Sequence, residues 1–392
     1  MRQCHSVSLG DVLSQVNRFE SVSPEGTYPL LGVRLEGRGA FLRETVSGPE
    51  TSATRLNRVA QGDFIYSRLF AWRGAFGIIG PDLDGSFVSN EFPIFAVDPD
   101  RICTSFLRYW FRLPAVWRRV EEDCTGSTPT TRNRYKERFF LSLKVPLLPL
   151  TEQQAIVSRL DALADKARQV NEHLDAIERD SLRLLVTMAK RSDISDAERY
   201  TLGWREAPIS SIADLALDPQ KVDAVESYPN IGIFSFARGL FEKPPIDGAT
   251  TSAKTLYRIR QGQFIYSRLF AFEGAYALVP QEFDGYFVSN EFPTFEVNSE
   301  LASAKFLMTL FLTEADWHGL RATSKGVGDR RLRIQPEHIL ARRISLPPRP
   351  EQSRVERLFD LHCALKARHT TIRQANDALI PATLERMFSG AD

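Results

Sequence analysis

The chain has 392 residues, 43% of them hydrophobic and 25% charged. That is the composition of a soluble globular protein too long for one ordinary core, so two domains are expected. Fifty Lys/Arg against 49 Asp/Glu leave a net charge of +1, which excludes a chain-wide pull on polyanions. The four cysteines are scattered with no CxxC pair, which argues against a zinc ribbon or a disulfide framework. No run approaches the roughly 18 apolar residues of a membrane span, and Met1 to Gln15 lacks a signal-peptide core. A cytoplasmic location with no membrane contact is expected.

In chain order, residues 1–50 open a globular unit. The apolar run Leu30–Val33 between turn formers reads as a strand, and it returns as Asn230–Ile233. The segment 51–97 then matches 251–297 at 28 of 47 positions without a gap. A repeat displaced by 200 residues is far too long for a solenoid and means two homologous domains in one chain. Within it, Phe64-Ile65-Tyr66 and Phe264-Ile265-Tyr266 predict a strand. Gly74 and Gly274 should break it, and Asp84-Gly85 and Asp284-Gly285 are turn dipeptides. Pro81-Asp82 begins something like a nuclease motif, but no lysine follows at usable spacing, and turn chemistry explains Pro-Asp-Leu-Asp-Gly better.

From Thr104 to Val120 the spacing is helical, with Phe106, Leu107, Trp110, Leu113 and Trp117 on one core-facing side. The charge is local here. Residues 101–144 carry ten Lys/Arg against four Asp/Glu, and residues 301–349 carry nine against four. This field reads either as a phosphate-contacting surface or as a solvated basic face. Two polar loops follow, 125–138 and 323–333, and each closes with an apolar strand at 141–148 and 341–347.

Beyond Pro149-Leu150-Thr151-Glu152-Gln153, apolar or small residues fall at 156, 160, 163, 167, 170, 174, 177, 181, 184 and 188. That alternation of four and three is a heptad seam and predicts a long helix with a helical partner. The partner follows Pro348-Arg349-Pro350-Glu351-Gln352, with its seam at Leu358, Leu361, Leu365, Arg368, Ile372, Ala375 and Leu379. Glu152 and Glu351 favour the helix N-termini, and Pro381 should end or kink the second helix. Residues 191–204 read as a polar linker. The boundaries expected are 1–150 for the first domain, 151–192 for the first helix, 193–203 for the linker, 204–348 for the second domain and 349–392 for the second helix. The fold class is α+β, with two homologous β-rich domains and an antiparallel pair of long coiled-coil helices related by a pseudo-twofold.

The segments VPLLPLTEQQAIVSRLDAL (145–163), ISLPPRPEQSRVERLFDL (344–361) and LIPATLERMFSG (379–390) carry a resemblance to the specificity subunit of type I restriction–modification systems. It covers essentially the whole chain. The first copy departs from the pattern in lacking the doubled proline of Pro347-Pro348. The resemblance implies two target-recognition domains reading the halves of a split site in double-stranded DNA, held apart by conserved helical spacers. It further implies two methyltransferase subunits and a motor nuclease as partners. S-adenosylmethionine would be bound by the methyltransferases and no cofactor by this chain, which would have no catalytic role. Consistent with that, no Asn/Asp-Pro-Pro-aromatic motif and no glycine-rich nucleotide loop occurs; the nearest run is Asn90-Glu91-Phe92-Pro93.

Several residues are candidates for DNA contact. Ser67-Arg68 and Ser267-Arg268 could engage guanine, or each arginine could instead pair internally with Glu91 or Glu291. Asn90 and Asn290 could read adenine edges, or hold turns. Trp72-Arg73, opposite Phe272-Glu273 in the second copy, is a place where the repeats diverge. In the basic loops, Arg132, Arg134 and Lys136, with Lys325, Arg330, Arg331 and Arg333, are candidates for phosphates or bases; a solvated loop is the alternative. Two other functions remain open on sequence, a stand-alone two-domain DNA-binding regulator and a nuclease with an unrecognised site.

Overall fold

The computed structural model describes residues 5–124, 134–318 and 333–388. It divides into two units, Met1–Glu172 with Thr371–Asp392, and His173–Thr370. Each unit holds one sheet-rich domain together with a segment of both long helices.

In the first unit a five-stranded sheet runs in the order Phe19–Ser21, Arg55–Arg58, Phe87–Val88, Thr27–Val33, Ala40–Ser47. A four-stranded sheet runs Leu13–Val16, Ile94–Val97, Phe64–Tyr66, Phe76–Ile78, and His5–Ser8 pairs with Lys144–Leu147. The second unit repeats the same three sheets in the same order, beginning with Pro219–Lys221, Ala213–Leu215 and Arg205–Pro208. The identical residues of the repeat build this frame. Phe64, Tyr66 and Phe95 are fully buried and pack with Phe76, Phe111 and Phe140, and the Phe76 and Phe111 rings lie 4.3 Å apart. Phe264, Tyr266, Tyr276, Phe295 and Phe311 repeat the cluster. Gly74 sits at φ +75, and a Cβ there would lie 2.5 Å from the Trp117 ring; Gly274 stands in the same relation to Trp317. Only glycine fits both the left-handed backbone and that contact.

Three expectations change. The helix predicted over Thr104–Val120 is two helices, Thr104–Trp110 and Pro114–Glu122, because Pro114 cannot continue the first and instead starts the second. The linker contains a short helix, Asp196–Thr201, closed by a capping box in which the Glu198 carboxylate accepts from the Ser195 amide at 2.8 Å. Pro381 does not end the second long helix, which runs Arg349–Phe388. Ile380 and Leu384, on either side of Pro381, are buried in the first unit's core, and that packing outweighs the lost hydrogen bond.

The first long helix spans Leu150–Lys190, about 60 Å at ~1.5 Å per residue. In each unit the two helical segments run antiparallel. Leu160, near the start of the first helix, shares the first unit's core with Leu384 near the end of the second. Leu185, near the end of the first helix, shares the second unit's core with Val355 near the start of the second. The predicted seam holds only in part: Leu160 and Leu174 are buried, and other positions turn out. Within the first unit, Asn376 donates to Asn171 at 3.0 Å, while Val170, Ile372 and Leu379 are exposed. Within the second, Ser181 meets His362 at 2.7 Å and Glu178 meets His369 at 2.8 Å, while Ile177, Leu184 and Leu361 are exposed. Polar pairs join buried leucines such as Leu160 and Leu174 along the helices, and part of the apolar row faces out.

The Pro-to-Glu-Gln signature acquires a physical role from its glutamine. Gln153 is completely buried, its carbonyl oxygen accepts from the Cys103 amide at 2.7 Å, and its amide donates to the carbonyls of Arg101 (3.1 Å) and Leu148 (2.7 Å). Gln352 does the same with the Ser303 amide (2.9 Å) and the carbonyls of Leu301 (3.3 Å) and Pro347 (2.9 Å). Each glutamine staples the first turn of a long helix to its own sheet-rich domain.

Candidate nucleic-acid interface

The repeated arginines are structural anchors. The Arg68 guanidinium donates to the Asn90 carbonyl and to the Glu137 carboxylate. Arg268 donates to the Asn290 carbonyl at 3.5 Å and to the Gln335 side chain. Their backbones complete the anchor, since the Arg68 carbonyl accepts from the Tyr135 amide at 3.0 Å and the Arg268 carbonyl from the Ile334 amide at 3.0 Å. Tyr66 and Tyr266 reinforce the same strand from below, donating to the Tyr135 carbonyl (3.3 Å) and the Ile334 carbonyl (2.9 Å). Burial pushes both phenols far above the usual tyrosine range, so they remain donors at any physiological pH.

The internal ion pair expected between Arg68 and Glu91 is replaced by a different one. Glu91 is held by Arg134 at 2.7 Å, and both Glu291 oxygens lie 3.1 Å from Arg333 Nε. The pairing partners arrive from the far end of the basic loops, about 40 residues away in sequence, which local patterning could not reveal. Arg134 and Arg333, expected on DNA, therefore fasten the C-terminal root of each loop to the repeated Ser-Asn-Glu corner.

The other candidates sort by exposure. Ser67 and Ser267 are buried at 4% and 2%, which removes them from any surface DNA could reach. Trp72 is half-buried with its indole N–H on the Leu69 carbonyl at 3.1 Å, and the exposed Arg73 lies 5.8 Å from its ring. At the matching place Glu273 is half-buried and accepts from Ser235 at 3.2 Å. Lys136 is exposed at the N-cap of Glu137–Ser142. Asn90 and Asn290 are exposed, and only their backbone carbonyls are engaged among the described residues. Arg132, Lys325, Arg330 and Arg331 lie outside the described residues. What the structure brings together in each unit is a rigid corner, Asn90-Glu91 or Asn290-Glu291, with the basic loop rooted on it.

Among the described residues no group of three or more His, Cys, Asp and Glu could hold a metal ion, and no helix is long and apolar enough to cross a membrane.

The chain is two copies of one sheet-rich domain, each stapled through a buried glutamine to a long helix, and solved structures share this fold. The HsdS subunit from Thermoanaerobacter tengcongensis superposes with a TM-score of 0.51 at 17% identity, over all of this chain and 98% of that one. A structure concerned with complex assembly and conformational transition of the type I R-M system gives a TM-score of 0.65 at 16% identity, over all of this chain and 99% of its match. These likenesses establish the fold. No protein-family model and no curated protein matches the sequence.

Proposed function

We propose that the chain is the DNA-reading specificity subunit of a type I restriction–modification complex, with each sheet-rich domain reading one half of a bipartite site. The observation that carries this reading is the duplicated corner. In both units a glutamate fixed beside an exposed asparagine grips the arginine at the root of a Lys/Arg-rich loop. A base-reading group fixed beside a cationic loop combines positioning on phosphate with readout of base edges. Because the frame is shared, the two half-sites are similar and the target is near-palindromic, differing where the loops and their surroundings differ.

The chain contributes recognition and no chemistry. Adenine methylation from S-adenosylmethionine belongs to two methyltransferase partners, and cleavage to a motor nuclease subunit. The outward rows of apolar residues on the helices, Val170, Ile372 and Leu379 in one unit and Ile177, Leu184 and Leu361 in the other, are the surfaces offered to those partners. Methylome sequencing of a host carrying the complete system is expected to show a split, near-palindromic methylated motif that disappears with this chain. Unrelated half-sites would sink the shared-frame argument. A motif that persists without the chain would sink the assignment itself. Co-purification of a methyltransferase separates this reading from a stand-alone regulator. Replacing Arg330 and Arg331 with Ala should weaken binding and flatten its salt dependence.

A further inference from the structure

The second unit has a small pocket of about 140 Å³ at its Ser-Asn-Glu corner, walled by Leu215, Leu217, Tyr257, Phe292 and Pro336, with Asn290 at its edge. The volume is well below the ~300–1,000 Å³ of small-molecule sites, so it suits a protruding group rather than a free ligand. Comparison with the first unit gives the pocket its meaning. Arg268, Asn290, Phe292 and Pro293 are identical to Arg68, Asn90, Phe92 and Pro93. The remaining wall positions all change class. Leu215, Leu217 and Tyr257 stand where the first copy has Gln15, Asn17 and Asn57, and Pro336 stands where it has Glu137.

Leu215 and Leu217 are 39% and 47% exposed. Two exposed leucines around a concavity need a reason that one scattered leucine does not. The reason lies in their neighbours. Asn290 presents a side-chain amide with no hydrogen bond among the described residues, and Glu291 next to it holds the root of the basic loop. Asparagine pairs with the N6/N7 edge of adenine, and the same A·T pair carries the thymine 5-methyl group in the major groove. An amide beside an apolar pocket is therefore complementary to the two ends of one A·T pair.

We propose that Leu215, Leu217 and Tyr257 form a thymine-methyl pocket beside Asn290, and that this pocket makes the second half-site differ from the first. In the first unit Gln15 and Asn17 are exposed at the matching positions and favour a base edge that hydrogen-bonds. The departure from a perfect palindrome thus falls at the base pair facing this corner. This inference rests on the DNA-reading function proposed above.

The test begins by selecting duplexes from a random library with the chain in complex with its methyltransferase subunits. Failure to recover any consensus overturns the DNA-reading function, and the pocket with it. With a consensus in hand, each thymine in turn is replaced by deoxyuridine, which removes only the methyl. Binding should weaken roughly fourfold, the worth of one buried carbon, at one thymine of one half-site. The triple variant L215Q/L217N/Y257N, which carries the first copy's residues, should lose that sensitivity and shift the selected base there. The single variant L217N, at an exposed position, should lose part of it without disturbing folding. Uniform tolerance of deoxyuridine in both half-sites overturns the proposal. So does a variant that melts earlier yet selects the same bases, because the pocket is then a packing surface for the chain itself.

Discussion

Replacing Gln153 with Leu tests whether a single glutamine joins helix to domain. The substitution conserves bulk but leaves the Cys103 amide and the Arg101 and Leu148 carbonyls without their side-chain partner. A buried polar group left unsatisfied costs about 1–3 kcal/mol. The amide bears the full penalty and the carbonyls a smaller one, so the loss is about 3–5 kcal/mol. For a unit of nearly two hundred residues, that lowers the melting temperature by roughly 6–20 °C. Q153E is the sharper variant. It keeps the acceptor for the Cys103 amide but turns a carboxylate toward two carbonyl oxygens. Its folded-state pKa is therefore raised above the unfolded ~4.3. The penalty is absent below that value and grows as pH rises through the folded pKa, so Q153E should be closest to wild type near pH 4 and worst at pH 8. Thermal unfolding across that range, with hydrogen exchange to localise the effect, reads both. Exchange should accelerate around 101–105 and 148–156 in Q153L, and around 301–305 and 347–355 in Q352L. A Q153E protein as stable as wild type at pH 8 would refute the staple.

Leucine at both Asn171 and Asn376 removes the polar pair inside the first unit's helix segments. Such half-buried polar contacts confer register at a cost in stability, so the double variant should be more stable by about 1 kcal/mol while its amides around 171 and 376 exchange more heterogeneously. A double-mutant cycle on Arg333 and Glu291, whose side chains are 41% and 25% exposed, should give a coupling of about 0.5–1 kcal/mol. Coupling near zero would mean the root of the loop is not held there. Burial pushes the Cys124 thiol up to about 11, so its alkylation should rise about tenfold per pH unit from pH 8 to 11. A plateau near pH 9 would contradict that environment.

The repeat, the heptads and the Pro-to-Glu-Gln signature were legible because each is a pattern along the chain. Two copies at a spacing of 200 residues fix two domains, and a sustained apolar period fixes long helices, whatever their surroundings. The strands at Phe64–Tyr66 and Phe264–Tyr266 and the breaks at Gly74 and Gly274 follow from local propensity and backbone sterics for the same reason. Partner choice did not follow. Arg68 could have met Glu91 or Glu137, Arg134 could have faced phosphate or carboxylate, and the sequence holds all of these groups without their distances. Only closure of the fold brings Tyr135 onto the Arg68 carbonyl, and with it Glu137 and Arg134 into range. The helix faces were decided in the same way. Heptad spacing cannot tell which positions of a seam turn inward, because packing against each domain sets the local rotation. That packing keeps the seam positions Leu160, Leu174 and Ser181 inside, brings in Asn171 and Glu178 from beside the seam, and leaves Val170, Ile177 and Leu184 outside. Sequence determined what is repeated and which elements form. Tertiary structure decided which charges are spent on the fold and which polar side chains, Asn90 and Asn290 among them, stay exposed.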